Sequence, residues 1–557
     1  MKNVLLILLA TCLTTTFLFA QATFNTIDSV DINNINAAVL VHGDMWWNPV
    51  LETAHCEFPN GTQKNCNFAS SIWMSGYDGA GNLHIAAQTY RQSGNDYWPG
   101  PLDASDTLTY STSANWAKIW KVYRTDIQYF QSLTTHTTAN TPTAILTWPG
   151  KGNVNAQGNA GAPLTITTDM APFIDLNGNG IYEPLLGEYP DVRGDEALWW
   201  VFSDNGPTHN QSNGNPLGVE VHASSFAYNR GTLIDNVVYY EYTFTNKSVN
   251  NYSNMRVAQW DDIDLGYPYD DYIGYDSMWR MGIAYNGTDC DGCSAGYPPT
   301  SYGLNPPQSA ITMIVLPGDV GTSFVPAGSF TNYQNDASST GNPNNDTVCN
   351  HYMRSILYNG KTIASCFSSG TLPCGGYDST SIINYVYPGD PSDSTQWSEC
   401  ICGNNPGNRR FVLSSNDFTL NAGSSAKVVV AQIVADSVGG CPIANFSKIK
   451  IVADTAWGNY YHPPAPLPPN AIKNLAQTNT INIYPNPTHN VLYLENSVQN
   501  TGEESITFYN IIGQKLNVAI TRSGNKKVAD ISALPNGLYL VEYRNSNIQL
   551  TTKFIKD

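Results

Sequence analysis

Asp175-Leu-Asn177-Gly-Asn179-Gly180-Ile181-Tyr-Glu183 sets oxygen-bearing side chains at positions 1, 3, 5 and 9 of a short loop, with glycine at position 6. A hard divalent cation is wrapped by alternate oxygen side chains, a sharp turn and one backbone carbonyl. Asp175, Asn177, Asn179, Glu183 and the Ile181 carbonyl have that order, so a bound calcium ion is expected. Position 12, where such loops place a bidentate glutamate, is Leu186. Glu188, Asp191 or Asp195 would have to close the site from the next turn. The competing reading is an Asn/Gly-rich turn in which Asp175 bonds its own backbone.

A second candidate is Trp260-Asp261-Asp262-Ile-Asp264-Leu-Gly-Tyr-Pro-Tyr-Asp270-Asp271-Tyr-Ile-Gly-Tyr-Asp276, with six aspartates in the sixteen residues from Asp261 on and no Lys or Arg among them. Like charges so crowded repel unless a cation or water relieves them. Asp261, Asp262, Asp264, Asp270 and Asp271 therefore read either as a second calcium site or as a solvated acidic loop. Two such carboxylates could also serve a glycosidase as acid and nucleophile. Gly292-Cys-Ser294-Ala-Gly296 matches a nucleophile elbow in letters alone. It should join a strand to a helix, but it runs into Tyr297-Pro-Pro299 and is expected to be a loop. No metallopeptidase, P-loop or dinucleotide motif occurs. Trp46-Trp47, Trp98, Trp199-Trp200 and Trp260 lie in Tyr/Asn/Asp-rich surroundings that suit sugar stacking, yet a sandwich core needs such side chains more.

These residues must be held by β structure. Asn236–Thr245, Lys427–Val434, Ala310–Leu316 and Ala197–Phe202 are β-branched and aromatic runs bounded by Gly, Pro, Asn or Asp. Few windows have helical periodicity. With 45 Gly and 33 Pro, the chain reads as all-β: a large β-sandwich body of one or two subdomains, followed by a small Ig-like sandwich. His462-Pro-Pro-Ala-Pro-Leu-Pro-Pro469 is a stiff spacer. The expected divisions are a signal peptide at 1–22, the body at 23–461, a linker at 462–476 and a tail at 477–557.

Lys2, an apolar run from Val4 to Phe19 and Ala20-Gln21-Ala22 form a secretory signal. A lipoprotein reading at Cys12 fits less well, because Thr11 stands where a smaller residue is wanted. Removing the signal leaves ten cysteines, an even number that in an exported chain argues for disulfides. Cys56–Cys66 is the simplest pair to expect, and a bridge is expected within the cysteine-rich region 290–441. Residues 21–476 carry 19 Lys/Arg against 39 Asp/Glu, whereas 477–557 carry seven against six. The body's charge argues against nucleic acid and anionic membrane as partners.

The tail orders Tyr484-Pro485-Asn486-Pro487, Phe508-Tyr-Asn-Ile-Ile-Gly-Gln-Lys515, Leu534-Pro-Asn-Gly-Leu-Tyr-Leu-Val541 and Thr552-Lys-Phe-Ile-Lys556. Alternation puts Tyr539, Val541 and Tyr543 on one face, Leu538 and Leu540 on the other. In this order the motifs resemble the type A C-terminal sorting domain of the type IX secretion system of Bacteroidota. That resemblance implies recognition by an outer-membrane translocon and removal of the tail. The body would then be attached to surface lipopolysaccharide or released. Ile72–Arg91, Gly94–Pro101, Gly389-Asp-Pro391 and Arg409–Ser415 resemble a region found ahead of such tails in secreted proteins of the same group, which implies secretion and assigns no chemistry. The expected function is an extracellular or surface-attached, non-catalytic protein for adhesion, glycan binding or surface structure. The alternative is a secreted glycan-active hydrolase.

Overall fold

The computed structural model describes residues 24–90, 94–315, 328–336, 341–363, 382–436, 438–466, 481–484, 486–496, 504–510, 514–523, 526–545 and 549–557. The chain divides into two compact units, Met1–Ala471 and Ile472–Asp557. The expected signal peptide and most of the Pro-rich linker fall outside the described residues.

The body is built on two antiparallel sheets. The first runs Ile27–Val30, Asn36–Leu40, Asp44–Met45, Ala69–Tyr77, Tyr252–Ile263, Arg409–Ser414, Ser329–Gln334, with Leu83–Ala87 added beside Ala69–Tyr77. The second runs Trp120–Tyr123, Glu196–Ser203, Val219–Ala227, Val237–Asn246, Ser425–Ala435, Gln308–Val315, Met281–Asn286, Asp271–Asp276. The four runs read as strands from sequence lie in this second sheet over their described residues, except Asn236, which ends a 3-10 turn. Its strand Val237–Asn246 explains why the sandwich closes. Val238, Tyr240, Tyr242 and Phe244 join the core between the sheets with Val39, Ile72 and Val257 of the first. Val237 and Tyr239 point the other way, into a second core beneath an outer layer. Fully burying one such side chain is worth about 1.5–3 kcal/mol, and both faces of this strand contribute.

The outer layer of the second sheet includes Trp116, Phe130 and Trp148 and the helix Ser447–Tyr461. That helix buries Ile449, Val452, Ala453, Ala456 and Tyr460, a stripe at helical spacing. The outer face of the first sheet stacks Trp73 on Trp260, 6.3 Å apart, against Tyr352 and Met353. Trp46, Trp47, Trp98, Trp199, Trp200 and Trp260 are all buried, so the core reading of these tryptophans holds.

Disulfides join Cys400 to Cys441 and Cys290 to Cys293, and Cys402 is also disulfide-bonded. These are the bridges expected within 290–441; Cys366 and Cys374 lie outside the described residues. The pair expected at Cys56 and Cys66 is not bonded. The two sulfurs face each other in the core at 3.4 Å, and the Cys66 thiol donates to the Cys56 carbonyl. Burial raises the Cys56 thiol, which favours the protonated form.

The C-terminal unit is a smaller sandwich. Ile481–Tyr484, Val491–Asn496, Lys526–Asp530 and Ala519–Ser523 form one sheet. Lys515–Leu516, Glu504–Asn510, Gly537–Asn545 and Gln549–Lys556 form the other. Its core is Leu492, Leu494, Phe508, Ala529, Ile531, Tyr539, Val541, Tyr543 and Phe554. Leu538 is exposed, so the strand alternation is the one expected from sequence.

Candidate functional site

The loop 175–183 lies between the short strand Phe173–Ile174 and the 3-10 turn Pro184–Leu186. Gly178 and Gly180 have φ of +74° and +72°, which side chains with a Cβ rarely adopt. Asp175 accepts the N–H groups of Gly178 and Gly180, each at 2.7 Å. Those donors, Gly180 first, hold its carboxyl below the usual range. Asn177 Oδ1 accepts from the Asn179 N–H, and Asn179 Oδ1 accepts from the Ile181 N–H. Both asparagine Nδ2 groups donate to Glu183 Oε2, at 2.8 and 2.7 Å. The loop thus gathers Asp175, Asn177, Asn179 and Glu183 on one exposed turn.

Of the three residues considered for closing the loop, Glu188 lies beneath it. It is fully buried and accepts the N–H groups of Leu176 and Glu183, at 3.1 and 2.7 Å. Asp195 is committed elsewhere, to Arg230 and the Asn229 N–H. Leu186 is exposed. Among the described residues, no group of three or more His, Cys, Asp or Glu side chains is arranged to hold a metal ion.

The acidic run 260–276 is not a solvated loop. Asp261 and Asp262 end the central strand Tyr252–Ile263, and Asp271 begins the edge strand Asp271–Asp276. Asp261, Asp262, Asp270 and Asp271 are buried, and Asp264 is partly so. Successive strand residues face opposite ways. Asp262 faces outward and pairs with Arg410 Nη2 at 2.7 Å, while Arg410 also reaches Asn342 and Tyr90. Asp261 belongs to the opposite face. Burial, with Asp262 and Cys66 nearby, raises its carboxyl well above the ordinary range. Asp264 accepts from Asn408 at 3.3 Å. Asp271 accepts the Leu265 N–H, and burial raises it strongly as well.

Asp270 meets a residue that the sequence reading did not single out. Asp291, between the bonded cysteines, shares a hydrogen bond with Asp270 and accepts the N–H groups of Tyr267 and Tyr302. Asp270 accepts the Gly292 N–H at 2.9 Å and the Asn286 amide at 3.0 Å. Burial pushes the Asp291 carboxyl up to about 7. This buried pair ties the loop before Asp271 to the loop after Cys290. Ser294 sits in the 3-10 turn Cys293–Ala295, so the Gly292–Gly296 segment is the loop expected and no nucleophile elbow.

Glu399 and Arg409 form another buried pair, joined by two hydrogen bonds of 3.2 and 2.9 Å. Glu399 also takes the Ile273 N–H, so this pair fixes the edge strand to the short helix Glu399–Cys402. No local pattern could have marked either pair, because the partners sit on different elements, 10 and 21 residues apart, and meet only in the fold.

Residues 482–557 match the family model of the secretion system C-terminal sorting domain. The C-terminal unit is a type IX sorting domain, which implies an origin in Bacteroidota. It marks the chain for export to the cell surface or extracellular space through the type IX machinery. No helix among the described residues is long and apolar enough to cross a membrane. Comparison with curated proteins gives no match. Among solved structures the chain is similar to a polysaccharide lyase at 9% identity and a TM-score of 0.18, covering 61% of this chain. The match spans 34% of the lyase's own length, and a superposition so loose carries no argument about a shared site.

Proposed function

We propose that this chain is delivered to the cell surface to bind or build rather than to catalyse. The observation behind this reading is where its chemically capable side chains lie. The Asp262–Arg410 and Glu399–Arg409 pairs, and the Asp270–Asp291 pair, are buried and bonded to structural partners. The tryptophans that could stack on sugars fill cores. A glycosidase needs two carboxyl groups facing a cleft that admits the substrate. Adhesion or glycan binding asks only for an exposed surface on a rigid scaffold.

In this reading, removal of the sorting domain leaves the body attached to surface lipopolysaccharide or released. Calcium on Asp175, Asn177, Asn179, Glu183 and the Ile181 carbonyl would stiffen one exposed loop. The buried set Asp261, Asp262, Asp264, Asp270 and Asp271 suits internal bonding better than a second ion. A glycan array run beside a hydrolase screen on the same exported protein tests the proposal. Retention of particular glycans without turnover supports it. Cleavage of any glycan by the body would replace it with the hydrolase reading.

A further inference from the structure

Residues 204–218 connect neighbouring strands of the second sheet, Glu196–Ser203 and Val219–Ala227. Part of this connection leaves that sheet and lies along the outer edge of Leu83–Ala87 in the first. The Ile85 N–H donates to the Asn215 carbonyl at 2.9 Å, and Asn215 Nδ2 donates to the Leu83 carbonyl. Asn215 also bridges His84 in parallel. The segment therefore covers a sheet edge and closes one side of the sandwich.

His209 lies at its middle with no exposed surface. Its Nδ1 is 2.8 Å from the Ile85 carbonyl oxygen, and its Nε2 is 2.6 Å from the Asp204 carbonyl oxygen. Carbonyl oxygens only accept, so both ring nitrogens must donate. Only the imidazolium carries two N–H groups. A neutral ring would set a bare lone pair against a carbonyl in a dry interior, which leaves two acceptors unsatisfied. The charge has partners on both sides: Asp96 Oδ2 and Asp204 Oδ2 each lie 4.0 Å from a ring nitrogen. Asp96 also accepts the Ala87, Gln211 and Ser212 N–H groups. Asp204 accepts those of Leu217 and Val219.

His84 repeats the pattern nearer the surface. Its Nδ1 is 2.6 Å from the Pro216 carbonyl oxygen and its Nε2 is 3.3 Å from Asp78 Oδ2. Hydrogen bonds led by the Asn82 amide bring Asp78 down to about 2, so it stays a carboxylate and acts as an acceptor. The Tyr252 hydroxyl donates to the Leu217 carbonyl, and its ring packs edge-on against His84 at 5.2 Å. The other titratable groups around Asp96 and Asp204 are Tyr97, Asp106, Tyr252 and Cys349. None carries a positive charge: burial raises Tyr97, Tyr252 and Cys349, which stay neutral, and pushes Asp106 up to about 6, above which it adds negative charge. The Trp98 ring, 6.0 Å from His209, adds an apolar wall.

We propose that residues 204–218 form a pH-responsive strap, held on the edge of the first sheet by His84 and His209 as imidazolium ions. Each ring holds the strap through two N–H donors, and loss of a ring proton as the pH rises removes one of them.

The exported protein, labelled with 15N at histidine, tests this directly. At about pH 6, where free histidine is still largely charged, the signals of His84 and His209, assigned by His84→Gln and His209→Gln, should show both nitrogens protonated. Hydrogen exchange at the amides of Gln211, Ser212, Leu217 and Val219 is the second readout. Corrected for intrinsic rates, it should quicken at least about tenfold more than exchange in Val237–Asn246 on going from about pH 6 to about pH 9. The exchange measurement needs only the unaltered chain, so a variant that folds poorly does not blunt it. A bare ring nitrogen at His209 at the lower pH overturns the proposal. So does protection of those four amides that follows the central strand at every pH.

Discussion

Asp291 accepts two backbone N–H groups, which favour its ionised form, yet burial outweighs them and Asp270 adds negative charge beside it. Its carboxyl is pushed up to about 7, against an ordinary value of about 3.9. The folded chain therefore holds a proton there that the unfolded chain gives up. The stabilising contribution is complete below about pH 4 and is lost as the pH rises through about 7. Asp291→Asn removes the titration but leaves a single oxygen for the Tyr267 and Tyr302 N–H groups, which Asp291 takes on separate oxygens. The variant should melt lower than the parent at pH 4, with a flatter decline between pH 4 and 7. Melting curves across that range are the check, and an unchanged slope would remove Asp291 from the account. Asp270 was legible in the sequence as one of a crowded run. Asp291 was not, because its only notable neighbours are cysteines and its partner lies 21 residues away.

Strands that bury both faces were the easiest elements to read. Val237–Asn246 and Ser425–Ala435 are dense in Val, Ile, Tyr and Phe because each side meets a core. The end of Tyr252–Ile263 was harder, since aspartate is a poor strand former and its local preference points to a turn. Arg410 compensates Asp262 from the adjacent strand, and single-sequence reasoning has no view of that neighbour. The helix Ser447–Tyr461 is hard to see in the sequence although its buried stripe is regular, because a Gly and two Tyr weaken its propensity. The loop 175–183 carries its own prediction. Extracellular calcium modules often bind with dissociation constants of about 0.1–1 mM. At roughly 1 mM calcium the tight end of that range adds about 1.4 kcal/mol. Chelation should lower the melting temperature, and Asp175→Ala should abolish that response. Magnesium should replace calcium poorly, since it prefers a smaller octahedral shell. A melt indifferent to chelator, with no heat of binding in calorimetry, would leave the loop an Asn/Gly turn bonded to itself.

At the scale of the whole molecule, two compact units have separate compositions and separate tasks. The body carries all of the acidic excess, and the tail is nearly neutral. The tail's motifs could be read from sequence because they mark strands and turns in a fixed order at one end of the chain, and the family match covers the same stretch. The body offers no comparable motif: its distinctive residues are packing and pairing residues, whose roles depend on partners far along the chain. Its own small core, from Leu492 to Phe554, allows the sorting domain to fold as a unit that a translocon can read. Deleting 477–557 should therefore leave a folded body that accumulates in the periplasm and never reaches the surface. Fractionation followed by limited proteolysis distinguishes this from misfolding, because a trapped but folded body keeps the protease resistance of the exported form. Removal of the tail during export, which the proposed function includes, predicts that intact-mass measurement of the surface or released form lacks most of 477–557. Normal export of the truncated chain would overturn the sorting role. A surface form of full mass would leave that role standing but show that the domain stays attached after export.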